Sequence, residues 1–153
     1  MEGLAIARPF FMDLISYGYI GLFIATFLSA TILPFSSEII LFALLSKGFP
    51  VSICVLIATI GNSAGGITNY FIGKIGNPKA LKRFGFTEEK IEKYELAIQK
   101  YGYWLAFFSW LPIIGDPLII GLGFFRVKLV PTTLLMIAGK FLRYLLIGYY
   151  FLN

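Results

Sequence analysis

Leu33-Pro34-Phe35-Ser36-Ser37-Glu38-Ile39-Ile40 and Leu111-Pro112-Ile113-Ile114-Gly115-Asp116-Pro117-Leu118-Ile119-Ile120 decide how this chain is read. Each sets a carboxylate four residues after a proline, inside an otherwise oily stretch. Upstream of each stands the same tripeptide, Tyr17-Gly18-Tyr19 and Tyr101-Gly102-Tyr103. A carboxylate in apolar surroundings is costly unless it is paired or protonated. A proline inside a helix frees backbone carbonyls. A sequence that does both twice is built around these two places.

The 153 residues are 58% hydrophobic, 18% aromatic and 14% charged, with a mean hydropathy of +0.83. A soluble domain carries about 25% charged residues. This chain cannot cover a water-facing surface, so an all-α integral membrane protein is expected, as one membrane domain over residues 1–153. The formal charge of +5 does not point to nucleic acid, because the basic residues sit between oily segments. The single cysteine, Cys54, lies in an apolar run and reads as a small buried residue. Histidine is absent, which excludes His-based metal sites and Ser-His-Asp triads. No cofactor or metal is expected. The first residues hold Glu2, Arg8 and Asp13, a poor start for a signal peptide, and no cleaved one is expected.

Residues 14–32 are apolar, the Pro34 phrase follows, and a short run reaches Ser46 before the turn Lys47-Gly48-Phe49-Pro50. A crossing helix needs about 20 apolar residues, and the piece after Glu38 has far fewer. The pattern predicts a re-entrant helical hairpin, since irregular backbone at membrane depth survives only when buried or lining a wet cavity. Residues 51–73 then predict a full helix. Its second part carries Asn62, Gly66, Asn69 and Gly73 at helical spacing, and Gly61 and Gly65 form a G-x-x-x-G. These residues suit close helix packing or a polar cavity wall.

Residues 74–100 form the hydrophilic block. Pro78 suits a first helical turn, Gly85 a stop, and Thr87 an N-cap before Glu88 and Glu89. Ile91, Tyr94, Ile98 and Tyr101 make an apolar stripe, and Glu89 stands in i,i+4 register with Lys93. An amphipathic helix on the membrane surface or against the protein is expected. Residues 103–124 repeat the hairpin around Pro112, Phe125-Arg126-Val127-Lys128 returns to the surface, and Pro131 starts a last helix to about Tyr150.

A hairpin returns to its own side and the helix after it crosses. The second half (about 101–150) therefore begins on the face opposite to the first (about 17–73), with 74–100 as connector. That is an inverted repeat, an arrangement common in transporters, with the site near the midplane. The face holding 74–100 and 125–130 carries nine of the lysines and arginines, and the other carries Arg8 and Lys47. The positive-inside rule makes the first face cytoplasmic and puts both termini outside.

Four ionisable residues lie at apparent membrane depth: Glu38, Asp116, Lys140 and Arg143. Each costs about 2.5–3.5 kcal/mol at a helix centre on the insertion scale. Two acids and two bases suggest a mutually compensating cluster, with Glu38 and Asp116 approaching one another and the two bases as counter-charges. Lys140 and Arg143, three apart, share a helix face. One account is a set of salt bridges that fixes the hairpins. The other is a substrate and proton-coupling site, since intramembrane charges mark pathways. Protonating the acid frees the base to hold an anion, and the arginine fork suits phosphate. Pro34, Pro112, Pro117, Gly115, Asn62 and Asn69 are expected to shape the hairpins or the cavity.

Leu33-Pro34…Glu38, Gly61-Asn62…Gly65…Asn69-Tyr70…Gly73-Lys74, Ser109-Trp110-Leu111-Pro112…Gly115-Asp116-Pro117 and Gly139-Lys140…Leu142-Arg143-Tyr144 together resemble the DedA membrane family (the VTT, or SNARE-associated, superfamily), most closely its YqaA-like branch. The resemblance covers roughly residues 17–150. It implies a multi-pass protein of the bacterial inner membrane, in a superfamily that includes lipid scramblases and undecaprenyl-phosphate flippases. In the better-studied branch, function is tied to membrane acids and the proton motive force. That branch has a Phe-x-Arg-Phe-x-Pro-x-x-Arg phrase. Aligned on Pro112, its arginines fall on Ser109 and Gly115, and Asp116 stands beside the second. Glu38 is the position that transfers directly.

The expected function is a transporter or flippase moving an anionic lipid or lipid-linked phosphate, with undecaprenyl phosphate or phospholipid as partner and protons as coupling ion. The alternatives are a small-ion or small-solute transporter and a non-transporting structural or assembly protein. An enzyme is not expected, because no nucleophile-base pair, phosphate loop or metal-ligand spacing is present. The G-x-x-x-G and aromatic surfaces are also compatible with a homo-oligomer.

Overall fold

A computed structural model describes residues 13–31, 37–77, 87–112 and 114–152, with backbone alone at 88, 90, 91, 93 and 94. The described residues are helical, with no strand among them. In chain order they form α1 (Gly18–Thr31), α2 (Glu38–Ser46), α3 (Val51–Ile75), α4 (Glu88–Tyr101), a 3₁₀ stretch (Gly102–Trp110), α5 (Gly115–Phe124) and α6 (Leu129–Leu152). Pro34, Pro78 and Gly85 lie outside the described residues.

Among the described residues, two helices are long and apolar enough to cross a membrane: α3 with 25 residues and α6 with 24. At 1.5 Å per residue each is about 36–38 Å long, against about 30 Å of hydrocarbon. The expected helix over 51–73 is thus present and ends two residues later. The last helix starts two residues before its expected proline. Pro131 sits in the first turn, where a missing N–H costs nothing. By contrast α1, α2 and α5 have 14, 9 and 10 residues, about 21, 13 and 15 Å.

The chain divides into two compact units: Met1–Gly65 with Phe141–Asn153, and Gly66–Lys140. Both long helices contribute to both. In the first unit Leu22, Ile40, Leu41, Leu44, Cys54, Ala58 and Tyr144 form the core. The G-x-x-x-G is used there. A side chain at Gly61 would meet the Phe23 carbonyl of α1, and one at Gly65 would meet the Phe27 carbonyl and Ala30. Asn62 secures the same contact, donating to the Thr26 carbonyl at 3.1 Å and the Ser29 hydroxyl at 3.3 Å.

In the second unit the core is Tyr70, Ala106, Ile119, Leu122, Val127 and Met136. Here α3 and α5 interlock backbone to backbone. A side chain at Gly73 would meet the Ile120 carbonyl, and one at Gly123 the Tyr70 carbonyl. The Tyr70 hydroxyl donates to the Val127 carbonyl and so ties α3 to the turn after α5. Thr87 holds the N-cap position of α4 with extended backbone but makes no side-chain cap bond. The apolar stripe of α4 splits at its end: Ile98 packs on the core while Tyr101 is exposed. The 3₁₀ stretch begins there and turns the following side chains through a different angle.

The two turns that close α2 and α5 are copies. Lys47, Gly48 and Phe49 donate their N–H groups to the carbonyls of Ala43, Leu45 and Leu44. Phe125, Arg126 and Val127 donate theirs to Gly121, Gly123 and Leu122. Adding 78 to each residue number carries the first set onto the second. The same step carries Pro34 onto Pro112, Glu38 onto Asp116 and Gly61 onto Gly139. The step is constant across these anchors and differs at the Tyr-Gly-Tyr copies upstream. Both turns need a left-handed residue. Gly48 supplies it with φ 86° and Arg126 with φ 55°.

Candidate functional site

Glu38 is the first residue of α2 and Asp116 the second of α5. Carboxylates there sit at the favourable, partly positive end of a helix. Each acid stands four residues after a proline in sequence and lies in the first turn of its helix.

Each acid takes a different base from α6. In the first unit Arg143 Nη2 donates to Glu38 Oε1, and both side chains are mostly buried. In the second, Lys140 Nζ donates to Asp116 Oδ1 at 3.1 Å. Lys140 is 1% exposed, whereas the Asp116 side chain keeps a third of its surface. The four charges expected to act together are thus present as two acid–base pairs, one in each unit. Lys140 and Arg143 share a helix, and each bonds the acid of its own unit.

Both bases are held by more than their acids. A side chain at Gly66 would meet Met136 Sδ at 2.5 Å and Lys140 Nζ at 3.1 Å, so the bare backbone of α3 leaves the space that the lysine fills. Arg143 lies over the ring of Tyr144, 6.0 Å from its centroid. Tyr144 is fully buried, and its hydroxyl shares a 2.9 Å hydrogen bond with Ser37 Oγ. Ser37, at the N-cap of α2, and Glu38, its first residue, therefore engage two consecutive residues on α6, Tyr144 and Arg143. Ser37 was not singled out by sequence; its place beside Glu38 was the available signal.

Glu38 is only half satisfied. Its Oε2 is buried and has no hydrogen-bond partner among the described residues. A buried acceptor left unmade costs about 1–3 kcal/mol, and more when charged. Ser63 Oγ in the first unit and Ser109 Oγ in the second are likewise buried without a partner. Gly115, at the start of α5, lies directly against the Ser109 backbone. Pro117 occupies the first turn of α5, and Pro112 the bend between it and the 3₁₀ stretch. Asn69 is buried in the second unit, and Asn62 serves the α1 contact described above.

The VTT domain family matches residues 33–152. The chain is 36% identical over 129 residues to the inner membrane protein YqaA of Escherichia coli (strain K12), covering 84% of this chain and 87% of that protein. It is 38% identical over 131 residues to an uncharacterized protein of Haemophilus influenzae, covering 80% of each. A protein of Methanocaldococcus jannaschii is 32% identical over 103 residues, covering 67% of this chain and 64% of that one. No solved structure matches the chain.

Proposed function

The chain belongs to the VTT-domain family of membrane proteins, the DedA proteins, and on that premise we propose that it moves an anionic lipid or lipid-linked phosphate across the bacterial inner membrane with proton coupling. The observation that carries the proposal is the pair of acid–base contacts. Each joins the first turn of a short helix to α6. Charges at membrane depth persist where they serve a pathway.

The chemistry follows from exchange of partners. With the acid ionised, the base is neutralised and holds no anion. When the acid takes a proton, the base is released, and its N–H groups turn to a phosphate. Arginine binds phosphate through a two-pronged fork, and lysine as a point charge. Loss of the proton re-forms the pair and expels the anion. One proton taken up and lost thus accompanies one binding and release at each pair. Glu38 and Arg143 are the first pair, Asp116 and Lys140 the second.

The topology that goes with this function is an inverted repeat of re-entrant hairpins, with α3 and α6 crossing and residues 74–100 in the cytoplasm. The 78-residue correspondence and the short lengths of α2 and α5 support it. Gly115 stands where the better-studied branch of the family carries an arginine. Here a side chain at that position meets the Ser109 backbone, which favours Lys140 as the cation that serves Asp116.

The test uses purified protein in vesicles that contain a headgroup-labelled anionic phospholipid, read by an impermeant quencher at two pH values. Exchange faster than in empty vesicles, and dependent on pH, supports lipid transport. No acceleration at either pH refutes it. The direct acid–base contact in each pair also favours a second account, in which the pairs only fix the hairpins. In that case neutral substitutions lower stability and leave any transport per folded molecule unchanged.

A further inference from the structure

The second unit carries two exposed aromatic rings with a lysine ammonium held over them. Lys74 Nζ lies 5.9 Å from the Phe71 ring centroid, and Lys100 Nζ lies 5.1 Å from that of Tyr101. In sequence the two pairs bracket the hydrophilic stretch. At both, the outward surface changes character. On α3, Phe71 and Ile72 are exposed just before Lys74. On α4 the exposed positions include Glu89, Glu92 and Lys100. Past Lys100 no charged residue occurs until Asp116.

The 3₁₀ stretch shows which way its apolar residues point. Gly102, Ala106 and Ser109 are buried in the second unit. Tyr101, Trp104, Leu105 and Phe108 are exposed, Tyr101 by 60% and Trp104 by 59%. Four large apolar or aromatic side chains thus project outward next to a charged helix. Indole and phenol rings favour the level of lipid headgroups, and lysine stems extend along apolar surface while the ammonium reaches water. The recognition is by rings and not by net charge, because α4 carries four glutamates against three lysines.

We infer that Tyr101, Trp104, Leu105 and Phe108, with Lys100, form a bilayer-docking surface seated at the boundary between acyl chains and headgroups. Phe71 and Lys74 mark the same boundary at the end of α3, and the charged face of α4 stays on the aqueous side. The occupant is the lipid boundary zone itself. The inference is independent of what the protein transports.

Trp104 and Trp110 are the two tryptophans, so Trp110→Phe leaves Trp104 as the sole tryptophan, excited selectively at the red edge of the absorption band. The variant is placed in phosphatidylcholine vesicles brominated either near the start or near the end of the acyl chain. The surface predicts quenching of Trp104 about twofold or more stronger with shallow bromines, unchanged by added salt. Quenching no greater than in unbrominated vesicles places the ring in water or against protein and overturns the inference. Stronger quenching from deep bromines also overturns it. If Trp110→Phe does not fold, Trp104→Phe in the otherwise native chain gives the same answer by difference, as loss of the shallow-quenched emission.

Discussion

Arg143 meets a carboxylate that has one oxygen bonded and the other buried without a partner. Removing the arginine leaves that charge alone in an apolar setting. Arg143→Ala is expected to destabilise the protein by about 3–5 kcal/mol. Replacing both members, Glu38→Gln with Arg143→Met, is expected to recover most of that loss, because no uncompensated charge remains. Thermal unfolding in detergent compares the two. Tyr144→Phe removes a single buried hydroxyl and leaves Ser37 without its partner, a loss of about 1 kcal/mol in the same assay. The four charges were legible from sequence because charge is conspicuous in an oily run. Their pairing was not. Glu38 and Arg143 lie 105 residues apart, and only packing decides which acid each base meets. Spacing of three along α6 correctly gives one helix face, but a face can serve two partners.

Among the elements, the two copied turns give a prediction of opposite sign. Gly48 holds φ 86° with open space around it, so Gly48→Ala meets backbone strain alone and is expected to cost about 1 kcal/mol. Arg126 already bears that strain at φ 55°, and Arg126→Gly is expected to raise stability by up to about 1 kcal/mol. Equilibrium unfolding of the two variants side by side checks the sign of each. At Gly123 the limit is space, since an added side chain meets the Tyr70 carbonyl. Gly123→Val is expected to cost more than about 3 kcal/mol by forcing α5 away from α3. The two long helices could be read from length and hydropathy, and the closing turns from Lys47-Gly48-Phe49-Pro50 and Phe125-Arg126-Val127-Lys128. The 3₁₀ stretch could not, because Gly-Tyr-Trp-Leu-Ala-Phe-Phe-Ser-Trp is apolar throughout and shows no period that separates three residues per turn from 3.6.

For the whole molecule, the family and the membrane setting were legible from composition and from the two proline-acid phrases. Fewer than one residue in six is charged, and the 74–100 stretch and the two acid–base pairs hold most of those charges. The 78-residue correspondence was hidden because most positions between the anchors differ: Gly48 against Arg126 keeps the backbone while changing everything a sequence comparison weighs. Under the proposed function, the acid–base pairs couple proton uptake to movement of an anion. The most direct measurement is the initial rate of labelled anionic lipid exchange in vesicles, with and without an imposed pH gradient, for the native chain and for Glu38→Gln matched by folded fraction. The account predicts a native rate that rises with the gradient and a Glu38→Gln rate that does not respond. A native rate equal to that of empty vesicles, or a Glu38→Gln variant that keeps the full gradient response, would contradict it.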